Sequence, residues 1–106
     1  MGKYMIQFNY TNEGLQGLAK EGGTKRREAT EQLVKSLGGK LLAYYFAFGE
    51  NDGFAIVDNM ENLDVFAMDL IAGASGAVRT KTTVLVTPEE VDKAIKKSGN
   101  YRPPGK

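Results

Sequence analysis

The stretch KLLAYYFAFGENDGFAIVD, residues 40–58, decides the fold. From Lys40 to Phe48 both alternating sets are apolar, with Leu41, Ala43, Tyr45 and Ala47 on one side and Leu42, Tyr44, Phe46 and Phe48 on the other. Such a strand needs cover on both faces. Gly49, Glu50, Asn51, Asp52 and Gly53 form the most turn-prone run in the chain, and Phe54 to Asp58 resumes as a short strand. The two strands therefore make a β-hairpin.

Towards the N-terminus, Lys40 is preceded by Gly38 and Gly39, which end a helix whose Ala29, Leu33, Val34 and Leu37 share one face and which Thr24 is placed to cap. The four glycines between Thr11 and Gly23 read as a loop with one helical turn around Leu15 and Leu18. Tyr4 to Tyr10 alternates as a first strand, setting Tyr4, Ile6, Phe8 and Tyr10 against Met5, Gln7 and Asn9. Towards the C-terminus, a helix starting at Asn59 or Asn62 sets Leu63, Phe66, Ala67, Leu70 and Ile71 on one stripe, expected to be its packed face. Gly73 and Gly76 close it, and Val78 to Val86 alternates as a fourth strand. Thr87, Pro88, Glu89 and Glu90 combine a cap, a proline at the first helical position and a capping box, which predicts a third helix through Ile95.

Strand, helix, strand, strand, helix, strand is the ferredoxin-like βαββαβ order, an α+β fold with an antiparallel four-stranded sheet and helices on one face. The extra C-terminal helix is too small to cover the other face of the sheet, so sheet-to-sheet dimerisation is expected. Residues 1–99 are expected to form one domain and residues 100–106, with Pro103, Pro104 and Gly105, a flexible tail.

The chain has 106 residues, 14 basic and 13 acidic, so no net field draws it to nucleic acid or an anionic membrane, and neither is expected as a partner. Cysteine and histidine are both absent. That excludes thiolate nucleophiles, imidazole acid–base chemistry and a Cys/His zinc site, and no cofactor is expected. Without disulfides or a signal-like apolar stretch, the expected location is the cytoplasm.

In their order and spacing, several segments resemble the GYD-domain family: Tyr10–Thr11 with a Glu-Gly-Leu run behind it, Lys25–Arg27, Leu37–Gly39, Tyr44, Phe48 to Asp52, and Gly76 to Thr82. The resemblance covers most of the chain and implies a dimeric α+β barrel. The family's hairpin motif is Gly, Tyr, Asp; here Gly49 and Asp52 match and Asn51 stands in place of the tyrosine.

Candidate ligand-binding residues are Tyr10, Tyr44, Phe48, Asn51, Asp52 and Arg79. Aromatics along the second strand suit an apolar pocket with phenol hydroxyls as polar handles, expected between paired sheets; a packed interface is the competing account. Asp52 beside Gly53 suits a hairpin turn at least as well as a site, and Arg79 with Lys81 suits a solvated strand edge. Lys25, Arg26 and Arg27 are the only basic run, at the positive end of a helix, where an anion would be welcome. The third strand has the Gly, aromatic, Ala and Val of an RNA-recognition motif, but Asp52, Ile56 and Asp58 replace its basic and stacking residues. Three functions fit: a small-molecule binding module, a cofactor-independent oxygenase or isomerase using Asp52 or Asp58 as base, or an oligomer without catalysis.

Overall fold

The computed structural model describes residues 1–106. Eight elements follow in order: β1 (Gly2–Tyr10), α1 (Asn12–Glu21), α2 (Gly23–Ser36), β2 (Lys40–Phe46), β3 (Gly53–Met60), α3 (Asn62–Ala74), β4 (Val78–Leu85) and α4 (Pro88–Ile95). The strands form one antiparallel sheet in the order β2-β3-β1-β4, the ferredoxin-like arrangement that the element order predicts. No helix is long and apolar enough to cross a membrane.

The register divides the strand residues between two faces. Tyr4, Ile6 and Phe8 align with Val57, Ala55 and Gly53 on one side and with Val84, Thr82 and Thr80 on the other. These residues face the helices. The core is built where Val34 of α2 and Val65 and Met68 of α3 meet Tyr4, Ile6, Val57 and Met60. The intervening residues, among them Met5, Phe54, Ile56 and Tyr45, point to the opposite face, which no element covers. Only 11 residues are buried, so a large share of the apolar side chains lies outside the core.

Three expectations need correction. Thr11 to Gly23 contains a ten-residue helix, Asn12–Glu21, rather than a loop: Thr11 caps α1 by accepting from the Gly14 N–H at 3.1 Å, and α2 begins directly after Gly22, without Thr24 as its cap. Gly14 is a packing residue, since a Cβ there would lie 2.0 Å from the Ala77 carbonyl oxygen. The glycines that suggested a loop let α1 lie against the start of β4.

The second correction concerns α3. Its expected packed stripe is largely exposed, with Leu63 at 80% and Phe66 at 60%, while Val65 and Met68 are buried. The helix is apolar around most of its circumference, so two stripes fit the same spacing, and the orientation is set by its start. There Glu61 and Asp64 form a capping box and the Tyr4 hydroxyl donates to Asn62 Oδ1 at 2.6 Å. Third, β2 stops at Phe46, leaving Phe48 fully exposed at the hairpin tip.

The C-terminal helix begins as expected, with a reciprocal Thr87–Glu90 capping box and Pro88 in its first turn. It packs on nothing. Every residue from Pro88 to Lys106 is exposed, including Val91, Ile95 and Tyr101.

Candidate functional site

Small side chains leave a gap in the helical layer. Gly17 of α1, Ala29 of α2, and Ala72 and Ala77 around the end of α3 line a cleft of about 560 Å3 whose floor is the sheet. That volume lies within the range of small-molecule sites. The cleft lies between helices and sheet, on the face opposite the one where a pocket between paired sheets would form.

Its floor is aromatic. Phe8 stacks on Tyr44 with ring centroids 5.4 Å apart and meets Tyr10 edge-on at 5.6 Å. Phe46 closes the cluster, edge-on to Tyr44 at 5.5 Å. Alternation along β1 and β2 puts these rings on one face, as the strand pattern predicts.

The hydroxyls of Tyr10 and Tyr44 lie 3.4 Å apart at one end of the cleft. Burial pushes the Tyr10 phenol well above its ordinary value of 10.0, the Tyr44 hydrogen bond adds to this, and the nearby Arg26 guanidinium only partly offsets it. Tyr10 therefore stays protonated at neutral pH and offers a hydrogen-bond donor rather than a base. Arg26 projects from α2 into the same end, with Nη1 3.7 Å from Glu21 Oε1 and a buried Nε that has no partner.

Across the cleft, Asp69 of α3 accepts from the Thr82 hydroxyl through Oδ2 at 2.6 Å, while its buried Oδ1 has no partner. A buried polar atom left unpaired costs free energy, so both Arg26 Nε and Asp69 Oδ1 have unused hydrogen-bonding capacity in the walls of a small-molecule-sized space, where a side-chain rotation brings either to the cleft surface.

Among the residues singled out from sequence, Tyr10 and Tyr44 line this cleft. Phe48, Asn51, Asp52 and Arg79 do not. Asp52 serves the hairpin: its carboxylate accepts from the Tyr10 N–H at 2.8 Å, and its own N–H is shared between the Phe8 carbonyl at 3.0 Å and Asn9 Oδ1 at 2.8 Å. Tyr10 lies beyond the last β1–β3 rung, Phe8 to Gly53, so the carboxylate takes the place of the missing ladder partner. Asp52 is thus a positioning residue for the strand end that carries the Tyr10 phenol. Asn51 accepts from Asn9 Nδ2 at 3.3 Å and reinforces this junction. Arg79 is exposed and faces away from the helices.

Residues 4–95 match the GYD domain. The chain belongs to the GYD-domain family. No curated protein matches it. In this GYD-domain chain Asp52 holds backbone, and the charged groups lining the cleft come from elsewhere.

Asp58, the other carboxylate considered as a base, is held below the ordinary carboxylate range by its hydrogen bond to Lys3, whose Nζ lies 3.1 Å away. It also faces away from the cleft, opposite Lys40 in the sheet register. Arg26 was visible in the sequence as part of the basic run, with nothing to separate it from Lys25 and Arg27, which are exposed. Asp69 gave no signal, because the stripe it shares with Val65, Met68 and Ala72 is less apolar than the one that faces solvent.

Proposed function

We propose that this GYD-domain protein is a small-molecule binding module whose ligand occupies the cleft between helices and sheet. The supporting observation is the combination of a small-molecule-sized space, an aromatic floor and two buried polar atoms without partners, Arg26 Nε and Asp69 Oδ1. The test uses 8-anilinonaphthalene-1-sulfonate, an apolar ring system with one anionic group. It should bind saturably with one site per chain and lose that site in Gly17→Leu. Residue 17 lines the cleft and a Cβ there meets nothing within 4 Å, so the leucine fills space without a clash at its root. Absence of a saturable site, or equal binding by a folded Gly17→Leu variant, overturns the proposal.

A second reading concerns assembly. We infer that the chain works as a homodimer or larger oligomer, supported by the uncovered sheet face bearing Met5, Phe54, Ile56 and Tyr45 and by an amphipathic α4 with no intrachain partner. Light scattering at tens of micromolar protein should give at least twice the chain mass, and Ile56→Asp should lower it. A monomeric mass for the unaltered protein ends this reading.

A further inference from the structure

The cleft has opposite hydrogen-bonding character at its two ends, and this restricts what it can hold. At the first end are donors: the Tyr10 and Tyr44 hydroxyls, one of which remains free to donate when the pair shares a proton, and Arg26 Nε. At the second is an acceptor, Asp69, whose unpartnered Oδ1 is brought to the cleft surface by a side-chain rotation. Asp69 is tied to Thr82, which lies opposite Ile6, and Tyr10 is four residues further along β1. Four strand residues span roughly 13–14 Å, and a hydrogen bond of about 2.8 Å at each end leaves roughly 8 Å between the ligand's own polar atoms. Between them Ile6, Phe8, Ala55 and Met68 offer only apolar surface.

Charge narrows the choice further. Glu13, Glu21 and Asp69 line the cleft against one cation, Arg26, part of whose guanidinium faces Glu21. A polyanion such as a nucleotide phosphate would meet three carboxylates, whereas a single carboxylate meets a smaller repulsion that Arg26 offsets and a neutral carbonyl meets none.

Resting on the reading of the cleft as a binding site, we propose that its ligand is an elongated molecule with three parts. A carboxylate or carbonyl oxygen meets Tyr10, Tyr44 and Arg26, an aromatic or similarly flat apolar body lies over Phe8, and a hydroxyl or ammonium donates to Asp69. Phenylpropionates have about this length and are the probes for the test.

Calorimetric affinities would be compared for 3-phenylpropionate, 3-(4-hydroxyphenyl)propionate and 3-[4-(aminomethyl)phenyl]propionate. One of the two probes with a distal donor should bind about tenfold more tightly than phenylpropionate, as expected for a donor meeting a buried charged acceptor. The hydroxyl and aminomethyl probes separate the two donor chemistries. Asp69→Ala should erase that advantage, bringing the favoured probe down to the affinity that the same variant shows for phenylpropionate. Arg26→Met should weaken all three by a similar factor. Equal binding of the three probes by the unaltered protein, or an Asp69→Ala variant that loses all three alike, overturns the two-ended ligand. If anilinonaphthalene sulfonate occupies the cleft while none of the three probes binds, the two-ended ligand fails and the binding-module proposal stands.

Discussion

Ile56 and Val57 are neighbours in β3 with nearly the same side chain and opposite surroundings. Val57 is fully buried among Val34, Val65 and Tyr4, whereas Ile56 lies on the uncovered face beside Met5 and Ala43. One face of the sheet is thus a finished interior with a cleft at one end. The other carries apolar residues that no helix covers. The contrast shows that an apolar strand records how many faces need cover, without recording whether the cover comes from its own chain.

The largest effect that would sharpen this contrast is in the core. Met60→Ala, at a fully buried position, should cost about 2–5 kcal/mol in denaturant unfolding, and Ile56→Ala much less at protein concentrations where the chain is monomeric. If the two cost the same at high dilution, the uncovered face is covered by something within the chain and the contrast is broken.

A smaller effect separates two glycines of one helix. Gly14→Ala should destabilise by about 1–3 kcal/mol, because its Cβ is driven into the Ala77 carbonyl. Gly17→Ala should stabilise by up to about 1 kcal/mol, since the site is open and alanine is the better helix former. Thermal melts of the two variants should therefore move in opposite directions. A loss of stability in both would place Gly17 against a wall rather than beside a cleft.

The smallest effect is a titration. Tyr10 has its pKa raised in the folded chain, so above its ordinary value of 10.0 the unfolded chain releases this proton while the folded one retains it. The unfolded state then binds fewer protons, and stability falls as pH rises past that point. Absorbance titration of the five tyrosines should show one ionising late, and Tyr10→Phe should remove that step. Absence of any late step in the unaltered protein would mean that the donor end of the cleft is wetter than its geometry implies.

Strand patterns, the hairpin and the Thr87 cap were legible in the sequence because each is a local device, carried by alternation or by residues three apart. The same alternation put Tyr10 and Tyr44 on one face and so found half of the cleft floor. Helix α1 was hidden because Gly14 answers to Ala77, more than sixty residues away, and a glycine required by packing looks the same as one required by a turn. The rotation of α3 was hidden because two stripes satisfied its period and the deciding contact, Tyr4 to Asn62, is also distant in sequence. Both misreadings removed polar residues from view: with α3 turned, Asp69 faces inward, and with α1 formed, the end of the cleft near Arg26 acquires a wall.

An eight-residue helix standing clear of its domain has a further consequence. Isolated helices shorter than about 12–15 residues are marginal in water, so α4 cannot hold itself folded by its capping box alone. In a lone chain it would fray and re-form on roughly the sub-microsecond timescale of helix–coil relaxation, and its amides would exchange with deuterium almost as fast as those of an unstructured peptide. Lasting protection at the seven amides from Glu89 to Ile95 would have to come from a surface outside the chain. The exchange rate of this one segment, followed as protein concentration rises, would therefore act as a built-in gauge of when the arm has found its seat.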